Sequence, residues 1–458
     1  MDPITEPHGV TLVPEPVVAL RDKPISPPLY IGYGIGMIGE RVFRDTPALL
    51  LLVFMTNYLA IPAAMAGTAI FLPKILVVFV DPLVGIISDR IRSPWGRRRP
   101  LMFAGAILSA ASFLLFFNVP TIDNVWWRTA YMALMITLGF AAYALFSVPY
   151  LSMASEMSTK SAEHTRLMAF RVGFMAAGLS IGGYSGAVVQ YGGGGFAGYR
   201  LLAVAFGMVC LVTMMITVFA TGSARQCDPD GAPMGLFDQF RMARANERYM
   251  LLLLVNLLQK IGEGIGYGSF AYFVVYYVHQ PISVLGSIIV GTLTGQVLSQ
   301  PFWVWVNGRI NRAVVYSIGV MGFVISLLVW LTLIDAPLWQ LVLMGVWTGI
   351  MAGGFLSVML MMLADSISSD AEKKGIKREG TYSGIWLATE KVGAAAGAFL
   401  VGQVLGLFHF VSSSAGMDAA QPREAVIGIA LVYVALNGLI YTASILPVWR
   451  YQTLVARG

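Results

Sequence analysis

The chain has 458 residues, of which 57% are apolar and only 12% charged. A soluble protein carries about 25% charged residues, so this charge is too sparse to cover the two or three soluble domains that such a length would otherwise give. Disorder, a disulfide scaffold and a soluble enzyme are excluded, and a polytopic α-helical membrane protein remains.

A helix crosses a bilayer with about 20 mostly apolar residues. Residues 1–28 hold seven prolines and lack the apolar core of a signal peptide, so they are expected to form a mobile cytoplasmic tail. Twelve spans follow. Six are expected over 30–60, 67–91, 99–118, 127–155, 166–190 and 200–222, and six over 249–279, 283–306, 314–334, 337–365, 382–410 and 424–450. The expected organisation is a six-helix bundle over 29–222, a polar central loop over 223–248, a second six-helix bundle over 249–450 and a short tail over 451–458. Cys210 lies in an apolar run and Cys227 in the polar loop, and they make no metal or redox spacing.

The net charge of +6 matters less than its distribution, because Lys and Arg collect in cytoplasmic loops. With both termini cytoplasmic, that side holds 21 Lys and Arg, including Arg90, Arg92, Arg97, Arg98 and Arg99 in one loop. The opposite loops hold only Arg128, Arg200 and Arg423. Orientation is expected accordingly, in the plasma (inner) membrane if the source is bacterial.

The halves echo each other. Asp81-Pro82 near the end of the second span is matched by Gln300-Pro301 near the end of the eighth, and Arg171-Val172-Gly173 in the fifth by Lys391-Val392-Gly393 in the eleventh. Chance is one account; duplication of a six-helix unit is the better one, and such repeats hold a site between two bundles near the midplane.

Charge inside the spans is the strongest functional signal. A mid-bilayer charge costs about 2.5–3.5 kcal/mol on insertion scales. Away from their ends the spans nevertheless hold six cations (Arg41, Arg44, Lys74, Arg171, Lys260, Lys391) and five clear acids (Glu40, Asp45, Asp81, Glu263, Glu390). Most must be paired or face water. Glu40 with Arg44, and Arg41 with Asp45, are spaced as one-turn pairs; either they neutralise each other locally or Arg41 points into a pathway. Lys74 and Asp81 are seven apart on nearly one face. Competition between Lys74 and a proton for Asp81 makes a coupling switch, and a structural ion pair is the alternative. Arg171 and Lys391, in matching spans, suit an anionic group if unpaired; otherwise they pair with Asp81, Glu40 or Glu263. Alternating glycines at 262, 264, 266 and 268 give either a hinge or close helix packing. Trp386, close to Lys391 in sequence, either stacks on a sugar ring or packs in the core.

The stretch Gly85-x3-Asp89-Arg90-x5-Gly96-Arg97-Arg98 resembles the loop signature of the major facilitator superfamily. Tyr33-Gly34-Ile35-Gly36, Asp81-Pro82, Arg92-Ser93-Pro94-Trp95-Gly96-Arg97, Val148-Pro149-Tyr150 with Glu156, and Lys391 resemble, more narrowly, the glycoside–pentoside–hexuronide:cation symporters, over nearly the whole chain from about residue 29. The resemblance implies twelve helices in two pseudo-symmetric six-helix bundles, with Asp89, Arg90, Arg97 and Arg98 as a gate that latches the bundles. The family's two cation-site acids match Val77 and Asp81, and its Asn matches Val80. A lone acid favours a proton over sodium. The family's sugar-site acids match Arg41 and Ser147, its Trp matches Leu151, and its Arg matches Arg171. A galactoside bound in the family's manner is therefore not expected, and the solute is expected to meet Arg41, Ser147, Tyr150, Arg171, Trp386 and Lys391.

No phosphate-cradling loop, zinc spacing or nucleophile elbow occurs, so neither an ATP-driven pump nor an enzyme is expected. The expectation is a monomeric, proton-coupled symporter of a glycoside or related solute, an anionic uronide included. Its partners are that solute and the bilayer, with no nucleic acid, metal or cofactor. A lysolipid carrier of the same fold and a non-transporting membrane sensor are the alternatives.

Overall fold

The computed structural model describes residues 25–157, 161–223, 244, 246–374, 379–414 and 416–456. The expected N-terminal tail up to residue 24, most of the expected central loop, and the last two residues lie outside the described residues. So do the loop cations Lys160, Arg225, Arg241, Lys377 and Arg378.

Backbone in lipid has to satisfy its own hydrogen bonds, and long helices fill the described residues. They are α1 (Pro27–Asn57), α2 (Ala63–Arg90), α3 (Arg99–Phe117), α4 (Val125–Met157), α5 (Ala162–Tyr191) and α6 (Gly195–Ala220) in the first half. In the second half they are α7 (Glu247–Tyr272), α8 (Ile282–Asn307), α9 (Arg312–Trp330), α10 (Leu338–Lys374), α11 (Glu379–Leu407) and α12 (Arg423–Ala456). Ten are long and apolar enough to cross a membrane by length and composition. The other two, α1 and α7, carry Glu40, Arg41, Arg44 and Asp45, and Lys260 and Glu263, in their middle turns.

Packing repeats between the halves. In the first, α1 lies on α5 and α6, α2 on α4, and α3 on α4 and α6. In the second, α7 lies on α11 and α12, α8 on α10, and α9 on α10 and α12. The halves meet along a longer seam, α2 on α11, and a shorter one, α5 on α8, with α1 against α7 between them. Apolar side chains such as Leu72, Phe79, Leu298 and Leu446 are exposed, a surface that an apolar medium covers. Trp126 and Trp127 are exposed at the start of α4, where interfacial aromatics sit.

The inter-half contacts concentrate at the end of the molecule where α1 finishes. There the Thr56 hydroxyl lies 2.7 Å from that of Tyr272, and Asn57 donates to the Tyr276 hydroxyl at 2.7 Å. The Ser413 amide donates to the Thr56 carbonyl at 3.0 Å, and Gln403 donates to the Ala64 carbonyl at 3.2 Å. Gly402 of α11 and Gly67 of α2 allow this approach, since a Cβ on Gly402 would stand 2.6 Å from the Ala63 carbonyl oxygen. Toward the opposite end a Cβ on Gly173 of α5 would meet nothing within 4 Å.

The alternating glycines of α7 prove to be a packing surface. The helix is continuous through them, and a Cβ on Gly264 would stand 2.3 Å from the Ala394 carbonyl oxygen of α11. The irregularity lies further on, in π-helical turns at Phe273–Tyr277 and Leu431–Leu436. Their Phe273 and Tyr433 rings stack at 4.3 Å.

Candidate functional site

The charged residues of the spans form four groups around the seam. On α2, Asp81 stands in the turn loosened by Pro82, whose missing N–H removes one helical hydrogen bond. Lys391 of α11 binds one oxygen of its carboxylate. The other, Oδ1, is buried with no hydrogen-bond partner. Neither side chain is sealed: Asp81 is 21% exposed and Lys391 34%. Lys74, the expected competitor for Asp81, instead holds its ammonium 5.1 Å above the Phe140 ring of α4. The seven-residue spacing put both on one face but could not tell which helix each would meet.

The second group joins α1, α4 and α5. Tyr143 donates to Glu40 Oε1 at 2.8 Å. The Arg171 guanidinium lies 3.9 Å from Glu40 Oε2 and 5.7 Å from the centre of the Tyr150 ring. Both Glu40 Oε2 and Arg171 Nε are buried without a hydrogen-bond partner. The third group is Asp45 between two arginines, with Arg41 at 3.5 Å and Arg44 at 3.0 Å. Arg41 also reaches the Met175 sulfur on α5 at 2.7 Å. The one-turn spacing therefore predicts Arg41–Asp45 rightly but not Arg44, which turns to its neighbour and leaves Glu40 to Tyr143 and Arg171. The fourth group is Lys260 of α7, 2.6 Å from Glu263 and 3.8 Å from Glu390 of α11. The two halves thus each tie their first helix to their fifth by an ion pair, Glu40 to Arg171 and Lys260 to Glu390, with the signs exchanged.

The remaining expected solute residues are placed differently. Tyr150 is fully buried and engages Tyr33 reciprocally: each hydroxyl donates to the other's backbone carbonyl, at 3.0 and 3.2 Å, and the rings stack at 4.6 Å. Trp386 is buried, and its indole N–H donates to Glu390 at 3.0 Å. Ser147 is half-buried. Of the two alternatives open for Arg171 and Lys391, free for an anion or paired with an acid of the spans, the structure shows the second: each faces a carboxylate, Glu40 and Asp81.

The expected gate residues cluster at the far end of α2. Arg98 binds Asp89 at 2.7 Å, Glu156 of α4 at 2.6 Å and the Ser88 hydroxyl at 3.0 Å. Arg97 also lies 3.0 Å from Glu156, while Arg90 is exposed. These bonds tie α2, α4 and the loop of one half together and do not bridge the halves. In the second half Arg312, at the start of α9, pairs with Asp365 of α10. The acids Glu156 and Glu40 and the hydroxyl of Tyr143 escaped assignment as site residues. The signal for Glu156 was present: Asp365 holds the corresponding place in the repeated unit. Among the described residues no group of three His, Cys, Asp or Glu could hold a metal ion.

The chain is 24% identical over 451 residues to the inner membrane symporter YicJ of Escherichia coli (strain K12), covering 95% of this chain and 94% of that one. It is 23% identical over 398 residues to the isoprimeverose transporter of Lactiplantibacillus pentosus, covering 84% and 80%. Its fold resembles the crystal structure of a bacterial homologue of the human lysosomal transporter Spinster, in an inward-facing and unoccupied conformation. That match has a TM-score of 0.66, 14% identity and coverage of 93% of this chain and 97% of the other. The family model described as MFS/sugar transport protein matches residues 32–453, and the chain belongs to that family.

Proposed function

We propose that this protein is a secondary symporter that carries a sugar-like solute across a bilayer by alternating access, with a proton as the coupling ion. A member of this family is a carrier, not an enzyme. The names of the relatives, a symporter and an isoprimeverose transporter, support symport and a sugar-like cargo. The observation that carries the reading is the Asp81–Lys391 pair: an ion pair inside the spans that joins one half to the other.

Protonation of Asp81 abolishes the attraction to Lys391 and frees the two halves to part along the α2–α11 seam. Sodium requires several oxygen ligands, and the neighbouring positions Val77 and Val80 offer none from side chains. With the cation-rich loops inside, the Asn57 end, where hydrogen bonds join the two halves, faces outward. Glu40 and Arg171, each with an unsatisfied polar atom, supply an acceptor and a donor for the hydroxyls of a sugar.

The test is Asp81→Asn in proteoliposomes, with p-nitrophenyl β-D-glucoside as solute. The variant is expected to lose accumulation against a gradient and keep downhill exchange. Accumulation that persists overturns the coupling assignment.

A further inference from the structure

The Arg309 guanidinium, just past the end of α8, lies 3.9 Å from the centre of the Trp305 ring, a cation–π contact. Among the described residues that ring is its only side-chain partner: no acceptor takes its N–H groups and no carboxylate pairs with it. Asp365, the acid at that end of α10, is taken by Arg312, and the Asn311 side chain caps the Ala313 amide. Arg99, 5.8 Å from the Trp95 ring in the first half, is different. It donates to the Val218 carbonyl at 2.8 Å and to the Trp95 carbonyl at 3.3 Å. Arg99 therefore braces the protein, whereas the donors of Arg309 point to something outside it.

The face that leads to Arg309 is apolar and uncovered. Leu298, Phe302 and Trp305 follow one another at helical spacing, and each is more than half exposed. The Phe302 and Trp305 rings stack at 6.4 Å. The first half repeats this pattern in register. The match of Pro82 with Pro301 sets Phe79, Leu83, Ile86 and Arg90 of α2 against Leu298, Phe302, Trp305 and Arg309. All eight are exposed. Asn57 bonds to Tyr276, so α2 and α8 both start from that end of the molecule and finish at the opposite one. Each half thus carries an exposed apolar stripe that terminates on an arginine at the same membrane face.

We propose that Arg309, backed by Trp305, binds the phosphate of an anionic phospholipid such as phosphatidylglycerol, with an acyl chain lying along Phe302 and Leu298. The inference depends neither on the solute nor on the coupling ion. A guanidinium over a ring still presents N–H groups from its edge, and that fork matches two phosphate oxygens. Interfacial Trp and Arg sit at headgroup level, where the phosphate lies. The single positive charge of Arg309 takes one negative charge. A zwitterionic headgroup brings its own ammonium to the phosphate and is held less well. At the matching place in α2, Ile86 stands where Trp305 does, so Arg90 lacks the ring and Arg309 is the stronger site.

Photo-crosslinking of the purified full chain in phosphatidylcholine vesicles tests this. The vesicles carry a trace of phosphatidylglycerol or of phosphatidylcholine with a diazirine on one acyl chain. Labelling of residues 297–305 is divided by labelling of residues 439–446 of α12, where Leu439 and Leu446 are also exposed and the nearby Arg450 is paired with Glu247. In the native protein this ratio is expected to be at least fivefold higher for the phosphatidylglycerol probe. Arg309→Gln is expected to bring the two probes within twofold of each other, and Trp305→Leu to lower the phosphatidylglycerol ratio at least twofold. Equal ratios in the native protein overturn the site, because α8 is then covered by unselected lipid. A preference above twofold that survives Arg309→Gln also overturns it and assigns the lipid to another cation. Both substitutions fall at exposed positions, and unchanged labelling of residues 439–446 reports that the fold is kept. The comparison of probes on the native protein can overturn the site without either variant.

Discussion

Lys391 on α11 binds the carboxylate of Asp81 on α2, a residue 310 positions earlier in the chain, and so fastens the second half of the molecule to the first. The pair is only half-buried, yet removal of one partner still leaves the other's charge in a largely apolar setting. Lys391→Ala leaves Asp81 with one oxygen already lacking a donor and the other newly bereft. Solute counterflow is expected to fall at least tenfold in Lys391→Ala and to recover substantially in the Asp81→Asn, Lys391→Ala double variant. Counterflow in the double variant no better than in the single would show that Lys391 acts apart from Asp81.

Glu40 and Arg171 separate binding from stability. Arg171→Ala is expected to weaken solute binding at least tenfold and to lower the melting temperature, since it strips a cation from a nearly buried carboxylate. Adding Glu40→Gln removes the uncompensated charge. Melting temperature is then expected to recover while affinity does not. Recovery of both, measured by thermal unfolding alongside glucoside binding, would assign the pair to scaffolding alone.

Arg98, itself buried, binds the buried Glu156 and Ser88 hydroxyl and the exposed Asp89. Arg98→Ala leaves Glu156 to Arg97 alone, and the loss is expected near the low end of the range for a broken buried pair, about 3 kcal/mol. Arg90→Ala, at an exposed position, is expected to leave stability unchanged. Chemical unfolding in detergent micelles distinguishes them, and equal losses would contradict the assignment.

The joint between the halves at the Asn57 end depends in part on the Tyr272 hydroxyl, 2.7 Å from that of Thr56. Tyr272→Phe removes a hydrogen bond with a net worth of about 1 kcal/mol and keeps the ring on Phe410. The variant is expected to populate the outward-open form about fivefold more, read as faster maleimide labelling of a single cysteine placed at residue 64. An unchanged labelling rate would mean that apolar contacts and the Gly67–Gly402 approach close that end without it.

Much of this architecture is legible in the sequence, because hydropathy and length mark most of the long helices and helical spacing marks their faces. Asp81, Arg171 and Lys391 stand out as charges in apolar runs. Their partners do not. Periodicity says that Lys74 and Asp81 share a side of α2, but tertiary packing decides that one meets Phe140 and the other Lys391. The same limit hides the link from Glu40 to Tyr143 and Arg171, on helices over a hundred residues away. Tyr150 reads as a solute contact, and Trp386 as either a ring that stacks on a sugar or a core side chain. Their polar atoms are committed to Tyr33 and Glu390, which composition cannot reveal.

The coupling role of Asp81 is tested most directly by following protons. p-Nitrophenyl β-D-glucoside added to an unbuffered suspension of de-energised cells that contain the protein is expected to make the external medium alkaline as solute and proton enter together. In Asp81→Asn cells the solute is expected to enter downhill without that change. Alkalinisation of equal size in the variant would contradict the account, since the proton would then travel on another group.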